Sequence, residues 1–397
     1  MDKLSIIIPI YNEEENIANL LDRIIDYKEV ICKESGLSGI EVIAVDDGSQ
    51  DKTNEILGSY GSRIKIITHE RNQGYGSALK TGFDSSSSNI LSFLDADGTC
   101  NPQSFVTLYK HLITENADLA VGSRMDATKS EMPAVRWIGN KFFAYILSFF
   151  SGQKVTDSAS GIRVFRKEIL KKLYPLPDGL HFTPAMTAKA LHEGFKIVEV
   201  PIPYAERGGK SKLSVFKDGF RFLKIIMDTV LMYNPFKVFL LLGLTSILFS
   251  ALLLTAPIYN LLSVEKFVFS DYIYRSIGAL YFFIVGIQII LFGILARFIV
   301  STFFKRYESG KLIHKINDRL KVYDNMMYYG LVPVLLGFVI NAVYAYKYFF
   351  GKGISLHWAY LLMAAGLIII GFQMIITGVI MKVLRDINFH KLHQNSN

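Results

Sequence analysis

Residues 90–97 read Ile-Leu-Ser-Phe-Leu-Asp-Ala-Asp, and this stretch decides the fold of the amino-terminal half of the chain. Its first five residues are mostly apolar and include the β-favouring Ile90 and Phe93, so they predict a buried strand. Side chains at i and i+2 of an extended chain project to the same side, which brings Asp95 and Asp97 together. Two such carboxylates repel each other unless a cation lies between them. Mg²⁺ or Mn²⁺ suits that position, because these ions bind carboxylate oxygens together with nucleotide phosphates. The alternative to a metal site is that Asp95 and Asp97 simply begin a polar loop after the strand.

Other strands and helices surround this stretch in a regular order. Further strands are predicted over residues 4–10, 40–45, 64–68, 118–121 and 197–203. Predicted helices alternate with them, the first opened by Glu13-Glu14-Glu15-Asn16, which favours a mainly parallel α/β sheet with helices on both faces. Ligands bind such sheets outside the carboxyl ends of the strands. The side chains predicted to meet at that edge are Tyr11, Asp46, Asp47, Asp95 and Asp97.

Three further segments carry polar residues with more than one interpretation. Residues 71–78 are glycine-rich but fit neither a Walker A loop nor the G-x-G-x-x-G pattern, so they indicate close helix packing or phosphate contact. Arg124 follows a strand and could bind phosphate or form a surface ion pair. Asp157 lies in the polar segment 155–163 and could be a base, a hydrogen-bond acceptor or a helix cap.

Composition separates a charged half from an apolar half. The 397 residues carry a formal charge of +8, and the basic residues collect beside apolar runs, which favours anionic lipid and phosphorylated substrates over nucleic acid. Two cysteines, Cys32 and Cys100, form neither a disulfide framework nor a metal-binding spacing. The apolar run at the amino terminus is too short for a signal peptide, so we expect the first domain to be cytoplasmic.

The carboxyl-terminal half predicts a membrane domain. Residues 215–232 form a basic amphipathic helix suited to the membrane interface. Four charge-free segments follow, near 238–257, 277–296, 329–346 and 358–381, each close to the roughly 20 residues needed to cross a bilayer. The connection 301–327 is rich in Lys and Arg, so the positive-inside rule places it and both termini on the cytoplasmic side.

Five motifs, taken in order along residues 1–235, resemble the family 2 glycosyltransferases, and within them the polyprenyl-phosphate group that is similar to dolichyl-phosphate mannose synthase. The motifs are Ser5-Ile-Ile-Ile-Pro-Ile-Tyr-Asn-Glu13, Val45-Asp-Asp-Gly-Ser49, Asp95-Ala-Asp97, Gly122-Ser-Arg124 and Asp157-Ser-Ala-Ser-Gly-Ile-Arg163. The resemblance implies a GT-A fold, a nucleotide-diphosphate sugar donor, Mg²⁺ or Mn²⁺, and a lipid monophosphate acceptor.

The resemblance also implies roles for single residues. Those implied to bind the nucleotide sugar are Pro9, Tyr11, Glu13, Asp46, Asp47, Asp95, Ala96, Asp97, Arg207 and Lys212. Asp95 and Asp97 would also hold the metal, and Arg124 and Arg136 would hold the acceptor phosphate. The implied catalytic set is Asp97, Arg124 and Asp157, with Asp157 orienting because the acceptor phosphate already carries its negative charge. Thr99 stands where these synthases usually carry a metal-binding glutamine, and the Arg207–Lys212 clamp is one residue shorter than their pattern.

We therefore expect a membrane-bound, metal-dependent, inverting glycosyltransferase that moves sugar from a nucleotide to a polyprenyl (dolichyl or undecaprenyl) monophosphate. The predicted parts are a cytoplasmic GT-A domain at 1–212, an interfacial helix at 213–235 and a four-helix transmembrane domain at 236–397, in a multi-pass protein of the plasma membrane. A homo-oligomer is compatible with this prediction. The alternatives are a processive polysaccharide synthase, whose Q-x-x-R-W signature is broken by Pro133, and a non-catalytic membrane scaffold that binds sugar nucleotides.

Overall fold

The computed structural model describes residues 2–125, 130–205, 215–263, 272–304, 321–350 and 358–394. Two compact units make up the chain, Met1–Val230 and Leu231–Asn397. The first is an α/β unit and the second consists of long helices. The segments 206–214 and 305–320 lie outside the described residues, and with them most of the predicted basic connection between the second and third membrane segments.

A seven-stranded sheet organises the first unit. Its strands are β1 (Lys3–Ile10), β2 (Gly39–Asp46), β3 (Lys65–Thr68), β4 (Ile90–Leu94), β5 (Leu119–Ser123), β6 (Ile162–Arg166) and β7 (Ile197–Pro201). They lie in the order β3-β2-β1-β4-β6-β5-β7. Only β6 runs antiparallel to its neighbours, so β1, β2, β4 and β5 end at one edge, as the predicted mainly parallel sheet requires. β7 lies at the edge of the sheet, where the missing N–H of Pro201 costs no ladder hydrogen bond.

Helices cover both faces of this sheet. They are α1 (Ile17–Ser35), α2 (Thr53–Ser59), α3 (Tyr75–Ser85), α4 (Ser104–Thr114), α5 (Ala134–Ser151), α6 (Leu170–Leu173), α7 (Phe182–His192) and α8 (Val215–Tyr233). Alternating side chains of β1 divide the hydrophobic core in two, with Ile6 and Ile8 in the cluster beside α1 and α4, and Ile7 in the cluster beside α3 and α7. This alternation is the period of two expected for a strand buried on both faces.

The structure corrects three expectations for local structure. Helix α1 begins at Ile17 with no acidic residue in its first turn, so Glu13, Glu14 and Glu15 lie in the preceding turn and not in the helix. The polar segment predicted over 155–163 ends inside strand β6, which inserts between β4 and β5. Helix α7 follows His181 directly and was not predicted.

Among its described residues, the second unit has four helices long and apolar enough to cross a membrane: Pro235–Ser263, Ile273–Thr302, Val322–Phe350 and Ala359–Asn388. Glycines let them approach closely in pairs. A Cβ on Gly243 would lie 2.7 Å from the carbonyl oxygen of Gly286, and one on Gly330 would lie 2.6 Å from that of Gly371. Small residues at such contacts are typical of helices that pack in lipid.

Candidate active site

Two adjoining cavities open at the carboxyl edge of the sheet. The strand-edge cavity, about 440 Å³, follows the ends of β1, β2 and β4, and its size suits a small molecule. The helix-flanked cavity lies beside it and is bounded by residues of α5 and α8. In the described part of the chain, four residues line both cavities: Tyr75, Asp95, Asp97 and Leu180. The acidic pair singled out from the sequence therefore lies at the junction of the two cavities.

The end of β1 supplies one wall of the strand-edge cavity. Pro9, Tyr11 and Glu13 line it, together with Ala96 between the two acidic residues. Glu13 is buried, and its carboxylate accepts a 3.0 Å hydrogen bond from the amide of Asn16. This contact fixes the side chain against the turn that follows β1, so the cavity wall is preformed.

The two acidic residues that follow β2 have different positions. Asp46 is buried, and its carboxylate accepts 3.0 Å hydrogen bonds from the backbone of Ser49 and from the amide of Asn54. Asp46 does not line either cavity, whereas Asp47 lines the strand-edge cavity. Asp46 therefore orders the loop, and only Asp47 of the pair reaches the cavity.

Asp47 in turn holds the glycine-rich segment. Its two carboxylate oxygens accept hydrogen bonds from the backbone N–H groups of Gln73 (2.9 Å) and Gly74 (2.8 Å). The ring of His69 contacts the same carboxylate at 2.7 Å. A Cβ on Gly76 would lie 2.1 Å from the carbonyl oxygen of Pro177, so the glycine there is needed for close packing of α3. The packing interpretation of residues 71–78 thus has a direct structural cause.

Neighbouring hydroxyl groups orient both carboxylates at the junction. The Tyr75 hydroxyl donates a 2.7 Å hydrogen bond to Asp95 Oδ1, and the Thr99 hydroxyl donates one of the same length to Asp97 Oδ1. Burial, followed by the Asp95 charge, raises the pKa of Tyr75 well above its ordinary value, so the phenol stays protonated and remains a donor. Thr99, where the family pattern has glutamine, therefore acts on Asp97.

The strand β6 brings a glycine against Asp95. Leu94 pairs with Ile162 across β4 and β6, and the Asp95 N–H donates a 3.2 Å hydrogen bond to the Gly161 carbonyl. A Cβ on Gly161 would lie only 1.8 Å from Asp95 Oδ2. The Asp95 carboxylate therefore lies directly over the Gly161 Cα, in space that any other residue would fill.

The residues at the junction fit a divalent cation. Asp95 and Asp97 both line the two cavities with carboxylate side chains, and carboxylate oxygens are the ligands that Mg²⁺ and Mn²⁺ prefer. Within the described residues, no group of three or more His, Cys, Asp or Glu side chains could hold a metal alone. Two protein carboxylates leave coordination positions for phosphate oxygens and water, which is the usual arrangement for Mg²⁺ beside a nucleotide.

A buried ion pair supports the helix-flanked cavity. Arg124 donates to Asp157 from Nε (2.7 Å) and Nη2 (2.8 Å), and Asn140 adds a 2.7 Å hydrogen bond to the same carboxylate. Burial works to raise the pKa of Asp157, but the charge and hydrogen bonds of Arg124 outweigh it and hold the pKa below its ordinary value. Asp157 is fully buried and lines neither cavity, whereas Arg124 lines the helix-flanked cavity. Asp157 therefore contacts Arg124 and does not reach the cavity itself.

The rest of the helix-flanked cavity combines one more arginine with apolar side chains. Arg136, in the first turn of α5, lines it together with Met132, Val135, Phe143 and Phe222. A cationic and apolar lining suits an anion attached to a hydrocarbon chain. The two clamp residues implied by the family pattern, Arg207 and Lys212, lie outside the described residues.

Four residues with defined contacts at the site did not stand out in the sequence. Tyr75 and Gly161 fix Asp95, Asn140 binds Asp157, and Arg221 of α8 lines the strand-edge cavity. Tyr75 lies in the glycine-rich segment 71–78 and Gly161 in the motif 157–163, so the sequence already marked the segments that contain them. Nothing in the sequence pattern pointed to Asn140 or to a cavity position for Arg221.

Comparison with known proteins identifies the family. The model of glycosyl transferase family 2 matches residues 5–174, and a domain of unknown function (DUF8752) matches residues 235–395. The dolichyl-phosphate hexose transferase of Haloferax volcanii is 31% identical over 58% of this chain and 95% of its own length.

Two other relatives carry related names. The polyprenol monophosphomannose synthase of Mycolicibacterium smegmatis is 32% identical over 53% of this chain and 80% of its own length. The UDP-N-acetylglucosamine–dolichyl-phosphate N-acetylglucosaminyltransferase of Methanococcus voltae is 30% identical over 58% of this chain and 99% of its own length. The predicted fold class, a GT-A-type α/β domain followed by a helical domain, is confirmed. The chain belongs to glycosyl transferase family 2 and is a glycosyltransferase.

Proposed function

We propose that this glycosyltransferase moves a sugar from a nucleotide-diphosphate sugar to a polyprenyl monophosphate. One observation carries the proposal: a cavity with acidic side chains and a cavity with arginine and apolar side chains meet at Asp95 and Asp97. A transfer reaction needs donor and acceptor to meet at one point, and these two linings match a nucleotide and a lipid phosphate. The names of the three relatives above support the same pair of substrates.

The strand-edge cavity binds the donor in this proposal. Pro9, Tyr11 and Glu13 contact the nucleoside, as in the family pattern, and Asp47 maintains the wall beside them. Asp46 contributes by ordering the loop that carries Asp47. The implied clamp residues Arg207 and Lys212 close over the donor from the segment that follows β7.

The helix-flanked cavity binds the acceptor. Arg124 and Arg136 pair with the lipid phosphate, and the apolar side chains around them contact the first isoprene units. Asp157 holds the Arg124 guanidinium in a two-point contact, so this cation is preorganised before the acceptor arrives. Asp157 is thus a positioning residue.

Asp95 and Asp97 would hold Mg²⁺ or Mn²⁺, which would stabilise the negative charge on the departing nucleoside diphosphate. Tyr75 and Thr99 keep the two carboxylates oriented toward the junction. The acceptor phosphate is already an anion at neutral pH, so its oxygen needs no general base. Direct attack on the anomeric carbon, held in line by Arg124 and Arg136, inverts its configuration.

The membrane brings the acceptor to the site. Helix α8 is amphipathic and ends at Tyr233, and the first apolar helix begins at Pro235. In this proposal α8 lies in the membrane interface, with the catalytic unit and both chain termini on the cytoplasmic side. The lipid tail stays in hydrocarbon while its phosphate reaches the cavity.

The test is a transfer assay with purified full-length protein. Undecaprenyl or dolichyl phosphate, Mg²⁺ or Mn²⁺, and radiolabelled UDP-glucose, UDP-N-acetylglucosamine or GDP-mannose are incubated, and lipid-soluble product is extracted. We expect one labelled lipid carrying one sugar, and its loss in the Asp97→Ala variant. A labelled polymer would favour a processive synthase, and normal turnover by Asp97→Ala would remove the metal from the proposal.

A further inference from the structure

Helix α8 contributes to both cavities. Gly219 and Phe222 line the helix-flanked cavity, and Arg221 lies between them in sequence and lines the strand-edge cavity. A membrane-interface helix needs basic residues facing lipid headgroups, but a residue that lines a ligand cavity is available to the ligand instead. Arg221 therefore differs from the other basic residues of α8.

The position of Arg221 is fixed by its helix. The Phe222 ring lies 6.0 Å from the Phe143 ring of α5, and Ile225 packs against the core cluster beside α3 and α7, which anchors the helix against the catalytic unit. Arg221 Nη1 donates a 3.1 Å hydrogen bond to the buried Asp218 carboxylate one turn earlier. About half of the Arg221 side chain stays exposed (53%), so the guanidinium can still contact a second anion.

Arg221 brings a positive charge to a strand-edge cavity whose other charged lining residues are acidic. Four acidic residues line it: Glu13, Asp47, Asp95 and Asp97. Arg221 is the one Lys or Arg among the described lining residues. Burial and then the charge of Arg221 lower the pKa of the adjacent His181, so this histidine is mostly neutral at pH 7 and adds no second cation. A diphosphate needs cationic partners in such a cavity.

We infer that Arg221 binds the phosphates of the nucleotide donor. The inference rests on the proposed function for the identity of the donor. It makes α8 part of the donor site as well as of the acceptor cavity. The same helix that is expected to lie at the membrane surface thus joins the two substrates.

The test measures nucleotide binding to full-length, detergent-solubilised protein by calorimetry. UDP and GDP, each with Mg²⁺, are compared with uridine and guanosine, which lack phosphates. We expect Arg221→Gln to weaken binding of the preferred diphosphate about tenfold or more, because a charge-assisted hydrogen bond is lost. Weak nucleoside binding should not change. Arg221→Lys, which keeps the charge, should recover part of the affinity.

A matched control is Lys224→Gln, which removes one exposed charge from the same helix without touching either cavity. Lys224→Gln should bind the diphosphate as the wild type does, and melting temperatures should show that both variants fold. The KM for polyprenyl phosphate should stay within about twofold in Arg221→Gln. A raised acceptor KM with unchanged diphosphate binding would place Arg221 at the lipid headgroup and overturn the inference.

The outcomes separate this inference from the proposed function. Equal diphosphate binding by wild type and Arg221→Gln refutes the inference, while lipid-linked product from the wild type leaves the function standing. Wild type that binds diphosphate but glycosylates no polyprenyl phosphate refutes the function, and the variant comparison still decides the role of Arg221. Wild type that binds neither UDP nor GDP refutes both.

Discussion

Replacing Gly161 with Ala should disable transfer by moving one carboxylate. The new Cβ would lie 1.8 Å from Asp95 Oδ2, 2.2 Å from its Cγ and 2.7 Å from its Oδ1. Restoring even a 3.0 Å contact requires Oδ2 to move by about 1.2 Å, and this movement also strains the hydrogen bond from Tyr75. Gly161 has an ordinary negative-φ or extended backbone, so the effect comes from space and not from conformation.

A displacement of about 1 Å at a reacting centre can cost roughly a hundredfold in rate, so we expect kcat/KM for lipid glycosylation to fall by about that factor. Initial rates with radiolabelled donor give this number, and Mn²⁺ affinity measured by electron paramagnetic resonance should weaken in parallel. Gly58→Ala is the matched control, because a Cβ at this exposed position in α2 meets nothing within 4 Å. Near wild-type turnover by Gly161→Ala would refute the reasoning that the position of Asp95 limits the reaction.

Four further predictions concern the residues around this site. Tyr75→Phe removes the hydroxyl that orients Asp95 and should lower kcat/KM about tenfold without lowering the melting temperature. Asp157→Ala leaves Arg124 buried and unpaired and should cost about 3–5 kcal/mol of unfolding free energy, measured by denaturant titration. Folding lowers the pKa of Asp157 below its ordinary value of 3.8, so the stability it contributes is fully present above pH 3.8 and is lost as the pH falls through the folded-state pKa. The unfolding free energies of wild type and Asp157→Asn should therefore converge in acid. EDTA should abolish transfer, and excess Mg²⁺ or Mn²⁺ should restore it.

Controls for these predictions use the same assays. A Tyr75→Phe variant with unchanged kcat/KM would show that the phenol does not position the carboxylate. Equal unfolding free energies for wild type and Asp157→Ala would contradict the buried ion pair. Undiminished transfer in EDTA would contradict a metal held by Asp95 and Asp97.

Much of the sheet followed from the sequence, because its parallel strands are short apolar runs that end in polar residues. The run at 90–94 and the carboxylates after it indicate both the strand and the shared edge. Strand β6 was missed because Arg163 and Arg166 interrupt its apolar pattern. Arg163 is nonetheless fully buried, and donates to the backbone carbonyls of Ser158 and Ser160.

Helix α7 was missed for the opposite reason. Every residue from Phe182 to His192 except Lys189 is buried, so the helix lacks the polar face that reveals a surface helix in a sequence. Contacts between distant residues were equally hidden. The pairing of Arg124 with Asp157 joins two motifs 33 positions apart, and local patterns carry no information about such a contact.

The residues shared by the two cavities have a consequence for inhibition. Tyr75, Asp95, Asp97 and Leu180 line both cavities, so ligands in the two cavities would contact the same four side chains. A bisubstrate compound, with a nucleotide tethered to a short isoprenoid phosphate, would bring both ligands to these shared residues in one molecule. Once one half of the compound is bound, the tether keeps the other half at a high effective concentration near its own cavity. The compound would therefore bind more tightly than either half alone. The isoprenoid half would also distinguish this enzyme from glycosyltransferases whose acceptors are soluble.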